Sequence, residues 1–170
     1  MKNTENEQND AAYTESSPLH AEQSEPSHSG EKQRRNECGI CTLCCKLVAV
    51  EEIEKPVGSW CPHCLLGKGC KIYDARPTEC QTWNCLWLQG AFGDQPGLRP
   101  DKCKVVVGYQ AGFIMAMQDT APRETGLRLI ETLKASGKPM MIKRFGQPGV
   151  EVLNATIKEA LQAGVIGPSR

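Results

Sequence analysis

A chain of 170 residues with 20 Lys+Arg against 20 Asp+Glu carries no net charge, so nothing in its overall balance draws it to nucleic acid or to an anionic membrane surface. No stretch approaches the roughly 18 consecutive apolar residues of a membrane span, and the opening Met1-Lys-Asn-Thr-Glu-Asn-Glu-Gln lacks the apolar core of a secretion signal. Together these features predict a cytoplasmic chain, where ten cysteines read as metal ligands rather than as a disulfide framework, because thiols stay reduced there unless a metal takes them.

The even charge total hides a division. Residues 1–37 hold eight acidic and four basic side chains, a net of −4, which leaves +4 for the remainder. This stretch of Asn, Gln, Ser and Glu has one aromatic, Tyr13, and too little apolar surface to offset the entropy of folding. It predicts a disordered N-terminal tail, with His20 and His28 as solvated tail residues.

A Cys-rich region over 38–90 follows. It opens on Cys38-Gly-Ile-Cys41-Thr-Leu-Cys44-Cys45 and continues through Cys61-Pro-His-Cys64, Cys70, Cys80 and Cys85. Little periodic apolar pattern accompanies these residues, and small Cys-rich loops of this kind generally fold around their metal. Leu47-Val-Ala-Val50 predicts a short strand, after which Pro56, Gly58, Pro62, Gly67 and Gly69 break the chain into loops. From Pro77 the unbroken run to Gln89 predicts a helix ended by Gly90, with Cys80, Trp83 and Trp87 on one face and the tryptophans in the core.

Residues 91–170 predict a small α+β module packed on that region. Lys104–Tyr109 and Phe113–Met117 flank Gln-Ala-Gly as a hairpin, with Gly112 suited to the turn. Leu127, Ile130 and Leu133 recur at helical spacing, with Leu129 beside them and Gly137 as C-terminal cap. Met140–Phe145 and Val150–Leu153 predict two further strands, and Asn154 predicts the cap of a last helix closed by Gly164. The order is ββαββα. Cys103, ahead of Val105-Val-Val107, reads as a packed core thiol rather than a ligand.

The ligand spacing supports two patterns. Cys38, Cys41 and Cys44 have the x₂, x₂ run that opens a ferredoxin-type iron–sulfur site, but Val48 stands where the fourth Cys would fall, so Cys70, Cys80 or Cys85 would complete it from afar. Alternatively, Cys38-x₂-Cys41 and Cys61-x₂-Cys64 have the separation of a four-cysteine zinc site. Adjacent Cys44 and Cys45 point in different directions and rarely grip one ion together, which favours a polynuclear centre or two neighbouring sites. Nine cysteines, Cys38, Cys41, Cys44, Cys45, Cys61, Cys64, Cys70, Cys80 and Cys85, are therefore candidate ligands for an iron–sulfur cluster or Zn2+.

The octet 38–45 together with Cys70-Lys-Ile-Tyr73-Asp-Ala-Arg76-Pro77-Thr-Glu-Cys80-Gln-Thr-Trp83 resembles the C-x-x-C-x-x-C-C cysteine-cluster family of zinc- or iron-chelating proteins. That family includes the YkgJ-type proteins and the flagellin lysine N-methylase of motile bacteria. The resemblance covers roughly residues 38–88. It implies a bacterial cytoplasmic metal-binding protein with Cys38, Cys41, Cys44, Cys45, Cys70 and Cys80 as ligands. Nothing after Gly90 matches the methylase's substrate machinery.

Two other side chains of the second motif bear on the site. Arg76 has two readings, as a donor to cluster thiolates or as a salt-bridge partner of Asp74 or Glu79, and Tyr73 reads as core. Cys61-Pro-His-Cys64 lacks the βαβ context of a redox dithiol, and His63 reads as an exposed loop residue. The sixteen Lys+Arg outside the tail form no basic stripe interleaved with aromatics, so a nucleic-acid partner is not expected. The function these features predict is a metal-binding protein serving redox or electron transfer. The alternative is a zinc-stabilised module that binds a protein partner.

Overall fold

Runs of apolar residues buried on both faces, Val105-Val-Val107, Phe113–Met117 and Met140-Met-Ile142, build the central sheet where the strand signals predict it. In the computed structural model, which describes residues 37–166, the fold is α+β. The expected disordered segment up to residue 36, with His20 and His28, lies outside the described residues.

The Cys-rich region contributes α1 (Cys44–Leu47), a two-stranded ribbon of β1 (Cys64–Leu65) and β2 (Gly69–Cys70), and α2 (Thr78–Thr82). After α3 (Pro100–Cys103) come β3 (Val105–Gln110), β4 (Phe113–Gln118), α4 (Glu124–Ala135), β5 (Met140–Arg144), β6 (Glu151–Leu153) and α5 (Ile157–Gln162), in the expected ββαββα order. The sheet runs β3-β4-β5-β6. Its outer pairs are antiparallel, whereas β4 and β5 are parallel, the relation that a crossover helix such as α4 permits. Ala111 and Gly112 both have positive φ in the two-residue turn between β3 and β4, the geometry that matches the twist of a hairpin.

Alternation sends the strand residues to two faces. Val105, Val107, Ile114, Ala116, Met140 and Ile142 pack with Leu129 and Ile130 of α4 and with Cys103. On the opposite face, Val106 and Met117 pack with Leu43 and Leu47, with Trp83 and Phe145 alongside. Phe113 packs there with Ala160 and Val165 at the α5 end. The Cys-rich region thus shares a core with the sheet. Lys46 of α1 also pairs with Asp119, just past β4, at 2.7 Å.

Several local expectations are corrected. Leu47–Val50 is not a strand: α1 turns through Leu47, and only Val50 pairs, in an isolated bridge to Lys55. The helix from Pro77 ends at Thr82, because Trp83 is extended and the amide of Leu86 is claimed by the carbonyl of Val107 at 2.7 Å. Cys80, Trp83 and Trp87 therefore share no helix face, although Trp87 is buried as expected. Cys103 closes α3 instead of opening a strand, but it is fully buried in the core. The last helix is capped by Thr156, not Asn154, through a capping box with Glu159. Leu127 lies on the exposed side of α4.

Candidate metal centre

Three short backbone devices bring distant cysteines together. Both C-x-x-C segments are tight turns, with the amide of Cys41 donating to the carbonyl of Cys38 at 2.9 Å and that of Cys64 to Cys61 at 3.0 Å. The amide of Cys61 donates to the carbonyl of Cys45 at 2.9 Å, which joins the second turn to the end of the first. The ribbon sets Cys70 opposite Cys64. A β-carbon on Gly69 would stand 3.0 Å from the carbonyl oxygen of Gly39, so the ribbon lies directly against the first turn. Cys80 arrives on α2, whose first amides, those of Thr78 and Glu79, donate to the Glu52 carboxylate at 3.0 and 2.8 Å. Glu79 returns the contact by accepting from the amide of Glu52.

All ten cysteines are free. Cys44 donates to both Cys38 and Cys45, which raises its own pKa well above that of an ordinary thiol. The same hydrogen bond is the main cause that lowers Cys38 to about 7, against burial and the charge of Cys45, with Arg76 assisting. Cys45 is lowered further, to about 6, chiefly by the hydrogen bond from Cys44, then by one from Cys64 and by the charge of Lys55. Cys64 pays for this arrangement: burial and then the Cys45 charge push it up to about 11, despite a hydrogen bond from Thr42. Burial raises Cys80, and the charges of Cys45 and Cys61 add to the effect. Cys45 is the hub.

Not every candidate joins this group. Cys41 is buried and turned toward α3, where it donates to the carboxylate of Asp101. Burial pushes Cys41 up to about 12. Cys85 is raised by burial and accepts from the amide of Leu88 at 3.4 Å, with Cys38 the thiol that adds to its shift. Cys103 is raised by burial and donates to the carbonyls of Leu98 and Val105. A cavity of about 950 Å³ opens beside the hub, with Cys38, Cys44, Cys45, Cys61, Cys70 and Cys80 on its wall and Met115, Met117 and Met141 contributed by the sheet. Among the described residues, no group of three or more His, Cys, Asp or Glu side chains is already positioned to hold a metal ion.

Two cations face the thiols. Lys55 is 4% exposed, and its Nζ donates to the carbonyls of Lys46, at 3.0 Å, and of Val48. Sequence inspection passes over it, because a lysine in Glu51-Glu-Ile-Glu-Lys55 reads as one more solvated charge. Arg76 makes no ion pair with Asp74 or Glu79 among the described residues. Its guanidinium stacks 3.9 Å from the centre of the Tyr73 ring while its charge favours the thiolates of Cys38 and Cys80. Tyr73 is correspondingly exposed, not core. His63 is half-buried rather than exposed, and its carbonyl accepts from the amide of Lys71.

Comparison of the chain with family models, curated proteins and solved structures gives no match. Among the described residues, no helix is long and apolar enough to cross a membrane.

Proposed function

We propose that the chain is a metal-binding cysteine-cluster protein that holds an iron–sulfur cluster serving redox or electron transfer. The observation that carries this reading is the hub itself: Cys45 accepts hydrogen bonds from Cys44 and Cys64 and faces a buried ammonium. Metals of this class bind thiolate, not thiol, and two of these groups, Cys38 and Cys45, ionise near neutrality. The donor set fits. Cys38, Cys44, Cys45, Cys61, Cys64, Cys70 and Cys80 supply more soft sulfur donors than one tetrahedral ion can use, which favours a polynuclear centre. Cys41 and Cys85 border the group, each with another partner for its sulfur. The ligands are carried on turns, on strands of two residues and on the one-turn helices α1 and α2, short elements that a metal can draw together at small conformational cost.

When bound, an iron–sulfur cluster would supply a one-electron couple, tuned by the charges and hydrogen bonds around it. The resemblance of the octet 38–45 and the motif 70–83 to the chelating family points the same way, and with it a bacterial cytoplasmic setting.

The alternative is a zinc-stabilised module that binds a protein partner. A specific observation favours it: Ile40, Trp60, Leu65, Leu66 and Tyr73 are all exposed on the cysteine-bearing loops, more large apolar side chains than solvated loops need.

Metal and acid-labile sulfide analysis of the full chain, purified without oxygen, separates the readings. Iron and sulfide with visible charge-transfer absorbance are expected. Zinc alone would establish the binding module, and protein with no bound metal would overturn both.

A further inference from the structure

Lys55 is the least expected charge in the molecule. It is 4% exposed, and among the described residues no Asp or Glu pairs with it. A buried ammonium without a counter-charge is costly, because the two carbonyls it reaches, those of Lys46 and Val48, satisfy its protons but leave its charge uncompensated. Its Nζ sits on the carbonyl of Lys46, the residue that follows Cys45, and the charges that act on it most strongly are thiols: Cys61, Cys45, Cys44 and Cys80. They come from three separate elements of the Cys-rich region. The backbone is committed to this placement, since Lys55 exchanges two backbone hydrogen bonds of 2.9 Å with Val50 across a turn whose Glu54 takes a left-handed φ of 51°.

We propose that Lys55 is the built-in counter-cation of the metal–thiolate centre, a positioning residue that holds the surplus negative charge of the bound cluster in the half-buried site. The inference rests on the metal-binding reading and adds to it the residue that makes an anionic centre tolerable there. Four or more thiolates on a divalent ion or an iron–sulfur core leave net negative charge, and a fixed cation close by stabilises it with little reorganisation. Arg76 stands on the Cys38 and Cys80 side as a second, more exposed charge. Lys55 differs in being sealed from water, so salt screens it far less.

The test is a cobalt(II) titration of the full-length metal-free protein, in competition with a chromophoric chelator and read by the thiolate-to-cobalt absorbance. Lys55→Gln keeps a donor for the two carbonyls and removes the charge, whereas Lys55→Arg keeps the charge. Removing a side chain that supports metal ligands typically weakens metal binding by about 10–100-fold, so Lys55→Gln is expected to lose at least tenfold in cobalt affinity while Lys55→Arg stays near wild type. Where wild type binds an iron–sulfur cluster, its reduction potential in Lys55→Gln is expected to fall, because loss of a nearby cation disfavours the added electron. If Lys55→Gln does not fold, Lys55→Met is titrated in its place. Wild-type affinity in the neutral variant would overturn the role of Lys55 and leave metal binding standing. Absence of cobalt binding by the wild type would overturn metal binding itself.

Discussion

Gly108 on β3 lies so close beneath Trp83 that a β-carbon there would stand 2.5 Å from Cζ2 of the indole. The contact joins the sheet to the segment that carries Cys80 on one side of Trp83 and Cys85 on the other. No side chain fits between them, so the sheet holds this stretch of the Cys-rich region at a fixed distance. This explains why the chain leaves helical geometry at Trp83: the extended residue lays its ring on Gly108, and Leu86 then hydrogen-bonds to Val107.

Gly108→Ala should therefore act on both parts at once. Overpacking a filled interior costs about 1–3 kcal/mol, and the indole is the group that must move. The expected outcome is a lower denaturant midpoint with an altered tryptophan emission spectrum, together with weaker metal retention. A variant with wild-type emission and stability would mean that the ring is free to shift.

The division of cysteines gives a second expectation. Cys45→Ser removes the acceptor of two S–H donors and should lower bound metal most. Cys103→Ser should leave metal content unchanged, because that thiol, at the end of α3, is enclosed by the core against α4 and donates to backbone carbonyls. It should still cost about 1–2 kcal/mol of stability, since a more polar hydroxyl is placed among Val105, Leu129 and Ile130. Metal content measured across the variants checks both, and equal loss from Cys45→Ser and Cys103→Ser would contradict the partition.

How much of this was legible in the sequence depended on what each signal encodes. The order ββαββα follows from periodicities of two and 3.6, which report the face that a residue must bury; Val105, Val107, Ile130 and Ile142 sit in the core accordingly. The last cap was legible too, since Thr156-Ile-Lys-Glu159 is a capping-box pattern, but Asn154 is the more familiar residue type and draws attention from it. The length of the helix after Pro77 was not legible, because local propensity allows it to reach Gln89, whereas the contacts beyond Thr82, Trp83 on Gly108 and Leu86 on Val107, come from a strand distant in sequence. At the site, cysteine spacing names the candidates but cannot rank them. Cys41 leaves the hub for Asp101, a partner sixty positions away, and the importance of Lys55 exists only once Val50 and Lys55 are paired.

The pair Lys46–Asp119 links the hub to the sheet and makes that link sensitive to acid. Lys46 follows Cys45 directly, and its Nζ lies 2.7 Å from Oδ1 of Asp119, with both side chains more than three-quarters shielded. Burial alone would raise the Asp119 carboxyl. The hydrogen bond from Lys46, the amide of Thr120 and the charges of Lys46 and Lys104 outweigh it and hold the group below its ordinary value of 3.8. A carboxyl lowered by folding contributes stability that is fully present above its unfolded pKa and lost as pH falls through its folded one. The pair should thus stabilise the fold at neutral pH and fail only below about pH 4, the ordinary carboxylate range. Asp119→Asn is expected to cost about 1 kcal/mol at pH 7, a value near the upper end for partly exposed pairs, and to flatten the stability profile at its acid end. Because the ion pair of Asp119 is with Lys46 of α1 and not with a cysteine, a loss of metal in Asp119→Asn would be expected to pass through the position of α1. Urea melts of wild type and variant from pH 3 to pH 7 measure the first effect, and parallel curves across that range would remove Asp119 from the acid response.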